Sequence, residues 1–148
     1  MTERDAPAVS ALSGQLGYPA GAERMKARVR ALAGDPDAAA LVAEAGDGAV
    51  AGWIHVCGRR SLETDPAAEI AGLVVDAGRR REGIGRRLVE AAEDWARQHG
   101  YERLRVRSNV ARDVAHVFYA GLGFERVKSQ HVYERTVAPG RAQAPGSR

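Results

Sequence analysis

The chain has 148 residues, of which 45% are hydrophobic and 28% charged, with a formal net charge of +3, a sequence pI near 9.4 and a mean hydropathy of -0.35. This length suits one domain, and this composition excludes disordered, fibrous and membrane-embedded classes. No apolar run reaches the roughly 18 residues that cross a bilayer, and no secretion signal is present. The single cysteine, Cys57, cannot form an internal disulfide, so we expect a cytoplasmic protein.

The first quarter of the chain is predicted to be helical. Asp5 stands before Pro7 in the arrangement of an N-cap residue and a first-turn proline, which predicts a helix that runs to about Leu16. Apolar residues at helical spacing predict a second helix over residues 22–33, and the Gly-Asp-Pro that follows ends it.

The next segment changes to strand patterns. Residues 41–43 and 50–56 flank a Gly-Asp-Gly turn at 46–48, which predicts an antiparallel hairpin. A polar loop over residues 58–67 precedes a strand over residues 69–75, whose apolar end indicates cover on both faces.

The second half alternates between helices and strands. After an arginine- and glycine-rich loop, apolar spacing predicts a helix from Ile84 to near Gly100, then a strand over residues 104–107 and a helix over residues 113–120. Alternation of this kind requires a parallel crossover, whereas the earlier hairpin is antiparallel. The predicted architecture is therefore a mixed α/β sheet with helices on both faces.

The end of the chain carries weaker signals. Residues 124–137 are predicted to supply one or two final strands, and residues 138–148, rich in Pro, Gly and Ala, a disordered tail. A single domain is thus expected over residues 1–137.

The loop before the third predicted helix has the composition of an anion site. A strand ends, the chain turns through small residues and arginines, and a helix begins with unpaired N–H groups that can bind phosphate. A Walker A loop is disfavoured because Ile84 and Gly85 stand where Lys and Ser/Thr are required. A dinucleotide loop is disfavoured because Leu88 replaces the third glycine. The arginines are confined to one turn without interleaved aromatic residues, which disfavours nucleic acid.

Two segments resemble the GNAT superfamily of N-acetyltransferases. The sequence Arg-Arg-Glu-Gly-Ile-Gly at residues 80–85 is similar to its Arg/Gln-x-x-Gly-x-Gly/Ala pyrophosphate loop, and residues 115–124 resemble its Ala-x-x-Phe-Tyr-x-x-x-Gly-Phe segment. Residues 108–119 further resemble the bacterial branch of aminoglycoside 6'-N-acetyltransferase-like proteins. The resemblance covers residues 39–137 and implies a three-layer fold, with a mixed, mostly antiparallel sheet and a splayed pair of parallel strands. One departure is visible: only residues 1–4 precede the first helix, so the family's first strand is absent, very short or supplied in another way.

The resemblance implies a reaction and a set of residues. An amine attacks the thioester of acetyl-CoA directly, in a ternary complex and without a metal. Glu69 is the implied general base, with His55 and Glu63 in reserve, and Tyr119 is the implied acid for the leaving thiolate. The backbone N–H groups of Leu73, Val74 and Val75 would stabilise the oxyanion. Cofactor binding would involve Arg80, Arg81, Glu82, Gly83, Ile84, Gly85, Arg86, Asn109 (pantetheine) and Arg112 (adenosine phosphates).

Each assignment has an alternative at this stage. Glu69 could be an ordinary strand residue, His55 a structural histidine, and Tyr119 a core aromatic that packs against Phe118 and Phe124. The expected acceptor is a primary amine of a small molecule, such as an aminoglycoside-like compound. A protein lysine or N-terminal acetyltransferase and a non-enzymatic acyl-CoA sensor stay open, and a homodimer is common in the family.

Overall fold

The structure is a computed structural model and describes residues 1–138. Within these residues the regular helices and strands are, in chain order, α1 (Ala6–Gln15), α2 (Ala22–Ala33), β1 (Ala38–Glu44), β2 (Val50–Arg59), β3 (Ala67–Val75), α3 (Ile84–Gln98), β4 (Leu104–Val106) and α4 (Asp113–Gly121). None of these helices has the length and apolarity that crossing a bilayer requires.

The strands form one mixed sheet in the order β1-β2-β3-β4. The β1–β2 and β2–β3 pairs are antiparallel, whereas β3 and β4 are parallel and are connected through α3. The predicted mixed and mostly antiparallel sheet is confirmed.

Helices cover both faces of this sheet. Successive residues of a strand point to opposite faces. On β2, Trp53 packs against Val9 of α1 and Met25 of α2, while a Cβ added at Gly52 would touch Leu88 of α3. The sheet therefore lies between α1 and α2 on one side and α3 on the other, which is the expected three-layer arrangement.

The core lies between the sheet and these helices. Ile54, Val56 and Ile70 are its largest fully buried side chains, and each contributes about 1.5–3 kcal/mol through burial. The buried face of α3 repeats at helical spacing: Ile84, Gly85, Leu88, Val89, Ala92 and Ala96. This stripe holds the start of α3 against the sheet, next to the end of β3.

Asp5 precedes α1 at the predicted N-cap position, with Pro7 in the first turn, but its side chain makes no capping hydrogen bond to this helix. A 3-10 turn over Glu3–Asp5 runs directly into α1, so the backbone of Asp5 is already helical, and its carboxylate accepts the N–H of Thr2 at 2.6 Å instead. No strand precedes α1 in the described chain, as the departure from the family pattern indicated.

The strands predicted over residues 124–137 are also wrong, since the described residues beyond α4 contain no strand or helix. Val127, Val132, Tyr133 and Val137 in this segment are more than 80% exposed. Strand propensity reflects packing on a half-buried sheet surface, so an apolar pattern without a pairing partner does not form a strand. The predicted tail falls, apart from Ala138, on residues outside those described.

The chain divides into two compact units, Met1–Asn109 and a second that begins at Val110. The first contains every element from α1 to β4, and the second contains α4. In the second, α4 is closed by the N–H of Phe124, which donates to the carbonyl of Tyr119 at 3.0 Å, and by Gly123 at a φ of +87°. A single domain over residues 1–137 stays a prediction.

Candidate functional site

The strand β3 loses its parallel neighbour partway along its length. Pairing with β4 covers only Ala68, Glu69 and Ile70, whereas β2 stays paired with β3 as far as Val75. Ala71 has no partner in the β2 register, which marks a bulge that bends the strand. Among the described residues, the last part of β3 therefore has one open edge, on the side where β4 ends.

Two backbone N–H groups face this open edge. The N–H of Asp76, directly after β3, donates to the carbonyl of Ala51 at 2.8 Å. Because alternate residues of an antiparallel strand bond to the same neighbour, the N–H of Val74 also faces β2, while those of Leu73 and Val75 face away from it. Of the predicted oxyanion donors, Val74 is thus turned toward β2.

The loop after β3 has an unusual backbone. A 3-10 turn over Ala77–Arg79 leads to Arg80 in an extended conformation, then to Arg81 at φ +67° and Gly83 at φ +76°. Arg81 is the one non-glycine residue with a positive φ in the described chain. A left-handed conformation costs a residue with a Cβ roughly 1–2 kcal/mol, and strain of this kind is concentrated at functional sites.

The helix α3 begins at this loop with free donors. Its N-cap residue, Gly83, has no side chain to cap it, and the first intrahelical bond runs from the N–H of Arg87 to the carbonyl of Gly83 at 3.1 Å. The N–H groups of Ile84, Gly85 and Arg86 therefore have no acceptor within the helix. Together with the helix dipole they form a site that can bind a phosphate group.

Two side chains hold this loop from outside. Gln15, at the end of α1, accepts the N–H of Ala77 at 2.9 Å and donates to the carboxylate of Asp76 at 3.2 Å. The guanidinium of Arg79 donates to the carboxylate of Asp47, in the β1–β2 turn, at 2.6 Å. No local sequence signal indicates either contact, because the partners are between 32 and 62 residues apart.

Glu69 lies inside the sheet and is 6% exposed. Its two carboxylate oxygens are each 3.2 Å from a guanidinium nitrogen, one of Arg59 and the other of Arg107. The sequence pattern did not indicate these ion pairs, which join β2, β3 and the chain after β4. Both oxygens of this buried carboxylate thus lie beside a guanidinium group.

His55 lies beside the bulge, paired with Gly72 in the β2–β3 register. Burial lowers the pKa of its imidazole, and neighbouring Arg59 lowers it further. Its Nε2 atom is buried without a hydrogen-bond partner among the described residues, as is Nε1 of Trp53 on the same face of β2. A neutral imidazole is therefore the stable form at neutral pH.

The remaining predicted residues lie at or beyond the boundary between the units. Asn109 is the last residue of the first unit, and Arg112 is the N-cap residue of α4. Tyr119 lies on α4 with its ring in edge contact with Phe118 and Phe124, at centroid distances of 5.1 and 5.5 Å. Burial raises the pKa of Tyr119 to about 12, so its phenol is protonated at neutral pH.

A strand with an open edge, followed by an arginine- and glycine-rich loop and an uncapped helix N-terminus, is the arrangement of an acyltransferase that binds an acyl-CoA. A model of the acetyltransferase (GNAT) family matches residues 8–124. The chain belongs to this family and is an acetyl-CoA-dependent N-acetyltransferase. No group of three or more His, Cys, Asp or Glu side chains that could hold a metal occurs within residues 1–138.

The chain is similar in sequence or fold to several aminoglycoside acetyltransferases. The chain is 27% identical over 125 residues to the aminoglycoside N(6')-acetyltransferase type 1 of Serratia marcescens. This alignment covers 81% of this chain and 86% of that protein. Its fold matches the aminoglycoside 6'-N-acetyltransferase of Acinetobacter baumannii with a TM-score of 0.81 and 20% identity, over 93% and 96% of the two chains. It also matches the aminoglycoside N-acetyltransferase AAC(6')-Iy, in complex with the bisubstrate analogue CoA-S-monomethyl-acetylneamine, with a TM-score of 0.80 and 18% identity, over 93% and 95%.

Proposed function

We propose that this enzyme transfers the acetyl group of acetyl-CoA to a primary amine of a small, aminoglycoside-like molecule. The Serratia relative supports the acceptor class, and the bisubstrate analogue bound by AAC(6')-Iy supports the pairing of CoA with such an acceptor. The observation that carries the proposal is the juxtaposition of the open edge of β3 with the start of α3, because one substrate can then place its thioester at the edge and its pyrophosphate at the helix.

The cofactor would follow the chain direction from strand to helix. The pyrophosphate accepts the N–H groups of Ile84, Gly85 and Arg86, and Arg80 adds positive charge at the rim of the loop. In this proposal Asn109 bonds the pantetheine and Arg112 bonds the adenosine phosphates, as the family resemblance implies. The backbone N–H groups of Arg81 and Glu82 complete the pyrophosphate donors that the family resemblance implies.

Transfer would proceed by direct attack rather than through an acetyl-enzyme. Cys57 is half-buried, and burial raises the pKa of its thiol, which therefore stays protonated and is a poor nucleophile. The amine nitrogen forms the new bond to the carbonyl carbon, and the carbon–sulfur bond of the thioester breaks. The departing thiolate then needs one proton, and the amine must lose one.

Three groups would serve these steps. Glu69 takes the amine proton through water, since its own oxygens are engaged by arginines, and an ordinary amine with a pKa of about 10.4 requires such help at neutral pH. The N–H groups of Leu73 and Val75 stabilise the oxyanion, and one donor of this kind contributes about 3 kcal/mol in comparable sites. Tyr119, held protonated by burial, gives its proton to the thiolate.

The setting of the enzyme follows from the same residues. We infer a reducing cytoplasm, because Cys57 is the single cysteine and is free. We also infer a homodimer on the family resemblance, for which light scattering of the purified protein is the direct test.

The first experiment measures acetyl-CoA binding by calorimetry in two glycine variants of the same loop. Gly83→Val forces a β-branched residue to a φ of +76° and is expected to weaken binding by about five- to 150-fold, through strain of about 1–3 kcal/mol. Gly78→Ala is the matched control, because an added Cβ would meet only the carboxylate of Asp76, at 4.0 Å. Equal binding by wild type and Gly83→Val would remove the loop from the cofactor site.

The second experiment measures thiol release with aminoglycosides, polyamines, amino acids and peptides as acceptors. Turnover of an aminoglycoside above the others is the expected result. Turnover of peptides alone would replace the proposal with a protein acetyltransferase, and acetyl-CoA binding without turnover of any acceptor would replace it with a sensor.

A further inference from the structure

The carboxamide of Gln15 makes two hydrogen bonds, through its oxygen and its nitrogen, to the adjacent residues Asp76 and Ala77. Gln15 is the last residue of α1, and its oxygen and nitrogen bind the backbone of Ala77 and the side chain of Asp76. These two residues are where β3 ends and the loop that leads to α3 begins. A helix on one face of the sheet thus holds the entrance to the loop.

Asp76 connects Gln15 to the rest of the loop through its own hydrogen bonds. Its backbone N–H is tied to Ala51, and its carboxylate also accepts the N–H of Gly78 at 3.3 Å, at the start of the 3-10 turn. Beyond that turn, Arg81 and Gly83 occupy left-handed conformations. Strained backbone of this kind persists only where its surroundings hold it, and Gln15 orients the side chain that begins the turn.

We propose that Gln15 is a positioning residue for acetyl-CoA, which holds the loop in the conformation that presents the N–H groups of α3. The proposal rests on the proposed function, because it takes this loop as the pyrophosphate site. Gln15 does not touch the cofactor; it acts through Asp76 and Ala77.

A second contact that holds the loop is an exposed ion pair rather than a set of hydrogen bonds from an uncharged side chain. The ion pair between Arg79 and Asp47 joins side chains that are 29% and 58% exposed. Exposed ion pairs contribute little and are screened by salt, whereas the bonds of the neutral carboxamide are not. The role of Gln15 therefore persists in high salt, where that of Asp47 fades.

The test compares Gln15→Leu with Gln98→Leu. Both residues are the last residue of an exposed helix end, at α1 and α3, but Gln98 makes no side-chain hydrogen bond within the described chain. Gln15→Leu is expected to raise the Kd of acetyl-CoA about five- to twentyfold through the loss of two hydrogen bonds. Gln98→Leu is expected to bind as wild type does, and both variants should unfold within about 3 °C of it.

Steady-state kinetics separates positioning from chemistry. Gln15→Leu should raise the KM for acetyl-CoA and leave kcat within about twofold, because ground-state binding is lost and the reacting groups are untouched. Most of this rise should persist in roughly 0.5 M salt, since Gln15 itself carries no charge and its hydrogen bonds are screened less than an ion pair between two charges.

Gln15→Glu decides whether hydrogen bonding or mere side-chain bulk is responsible. It has the same size and keeps an oxygen for the N–H of Ala77, but it replaces the donor to Asp76 with a like charge. Affinity should fall as in Gln15→Leu; wild-type affinity in Gln15→Glu would overturn the proposal. If both Gln15 variants bind as Gln98→Leu does while Gly83→Val loses binding, the cofactor loop stands and the role of Gln15 falls. If Gly83→Val also binds normally, both fall.

Discussion

Gly52→Ala would test the geometry of the open strand edge, because a Cβ added at Gly52 of β2 would meet the backbone of β3. An added Cβ would be 2.7 Å from the carbonyl oxygen of Val74, 3.1 Å from a methyl group of Leu88 and 3.3 Å from one of Ile84. A methyl group can turn aside, but a backbone carbonyl in a paired strand cannot. The strands would have to separate by roughly half an ångström to restore ordinary contact distances.

The expected cost is at the upper end of the range for overpacked cores, about 3 kcal/mol. For a chain of this length that corresponds to a Tm lower by about 10 °C. Movement of Val74 also displaces the N–H groups of Leu73 and Val75 on either side of it, so kcat at saturating acetyl-CoA should fall about tenfold or more. Differential scanning fluorimetry and a thiol-release assay give the two numbers.

Gly46→Ala is the matched control, in the turn between β1 and β2. Its added Cβ would have no atom within 4 Å, and its φ lies outside the left-handed region. The variant should keep its kcat and its Tm within about 2 °C, with any shift upward. If Gly52→Ala behaves as this control does, the close approach at Val74 is wrong, and with it the assignment of the donors that face the open edge.

Three further predictions concern the titrating and ion-paired groups, Tyr119, His55 and Glu69. Because the pKa of Tyr119 rises to about 12 on folding, the unfolded state loses its proton first above about pH 10, and wild type should lose about 1 kcal/mol of unfolding free energy between pH 10 and 11. Urea titrations measure this loss, and an equal loss in Tyr119→Phe would contradict the prediction. Burial lowers the pKa of His55, so wild type should lose stability as the pH falls below about 6.5, where the imidazole of the unfolded state protonates first. The Tm of His55→Gln should therefore fall less than that of wild type between about pH 7 and 5. Equal falls in Tm for the two proteins would rule out the effect. Glu69→Gln should lower the unfolding free energy by about 1–3 kcal/mol, since both guanidinium partners lose a buried anion. If Glu69 is also the base, the kcat of Glu69→Gln should fall at least about tenfold, while Arg59→Gln, which spares the carboxylate, keeps most activity. Equal losses of kcat in the two variants would assign Glu69 a structural role.

The parts of the site that could be predicted from the sequence have local signals. The apolar spacing of α3 and the glycines before it specify a helix start, because both depend on residues within one or two turns of each other. Gly83 does adopt the positive φ that only glycine tolerates readily, and the first free N–H groups follow it. The aromatic contacts of Tyr119 with Phe118 and Phe124 could be predicted for the same reason, since Phe118 and Phe124 are only six residues apart in the sequence.

Other features depend on partners that are distant in the chain. The ion pairs of Glu69 with Arg59 and Arg107, and the grip of Gln15 on Asp76, join residues that only the sheet and its helices bring together. The final strands were predicted over residues 124–137, but a strand also needs a neighbour with which it can pair. Sequence periodicity does not report whether that neighbour exists.

The sequence by itself determined which chemistry the chain can carry. Its loop motif and helix signal predict an anion site among the backbone N–H groups of residues 81–86, and the family that the motifs indicate is the one to which the chain belongs. Only the tertiary structure decided which amides of β3 face the open edge, because one unpaired residue at Ala71 shifts the alternation of every residue after it. That shift is a property of strand pairing, so it turns the N–H of Val74 toward β2 and those of Leu73 and Val75 toward the open edge.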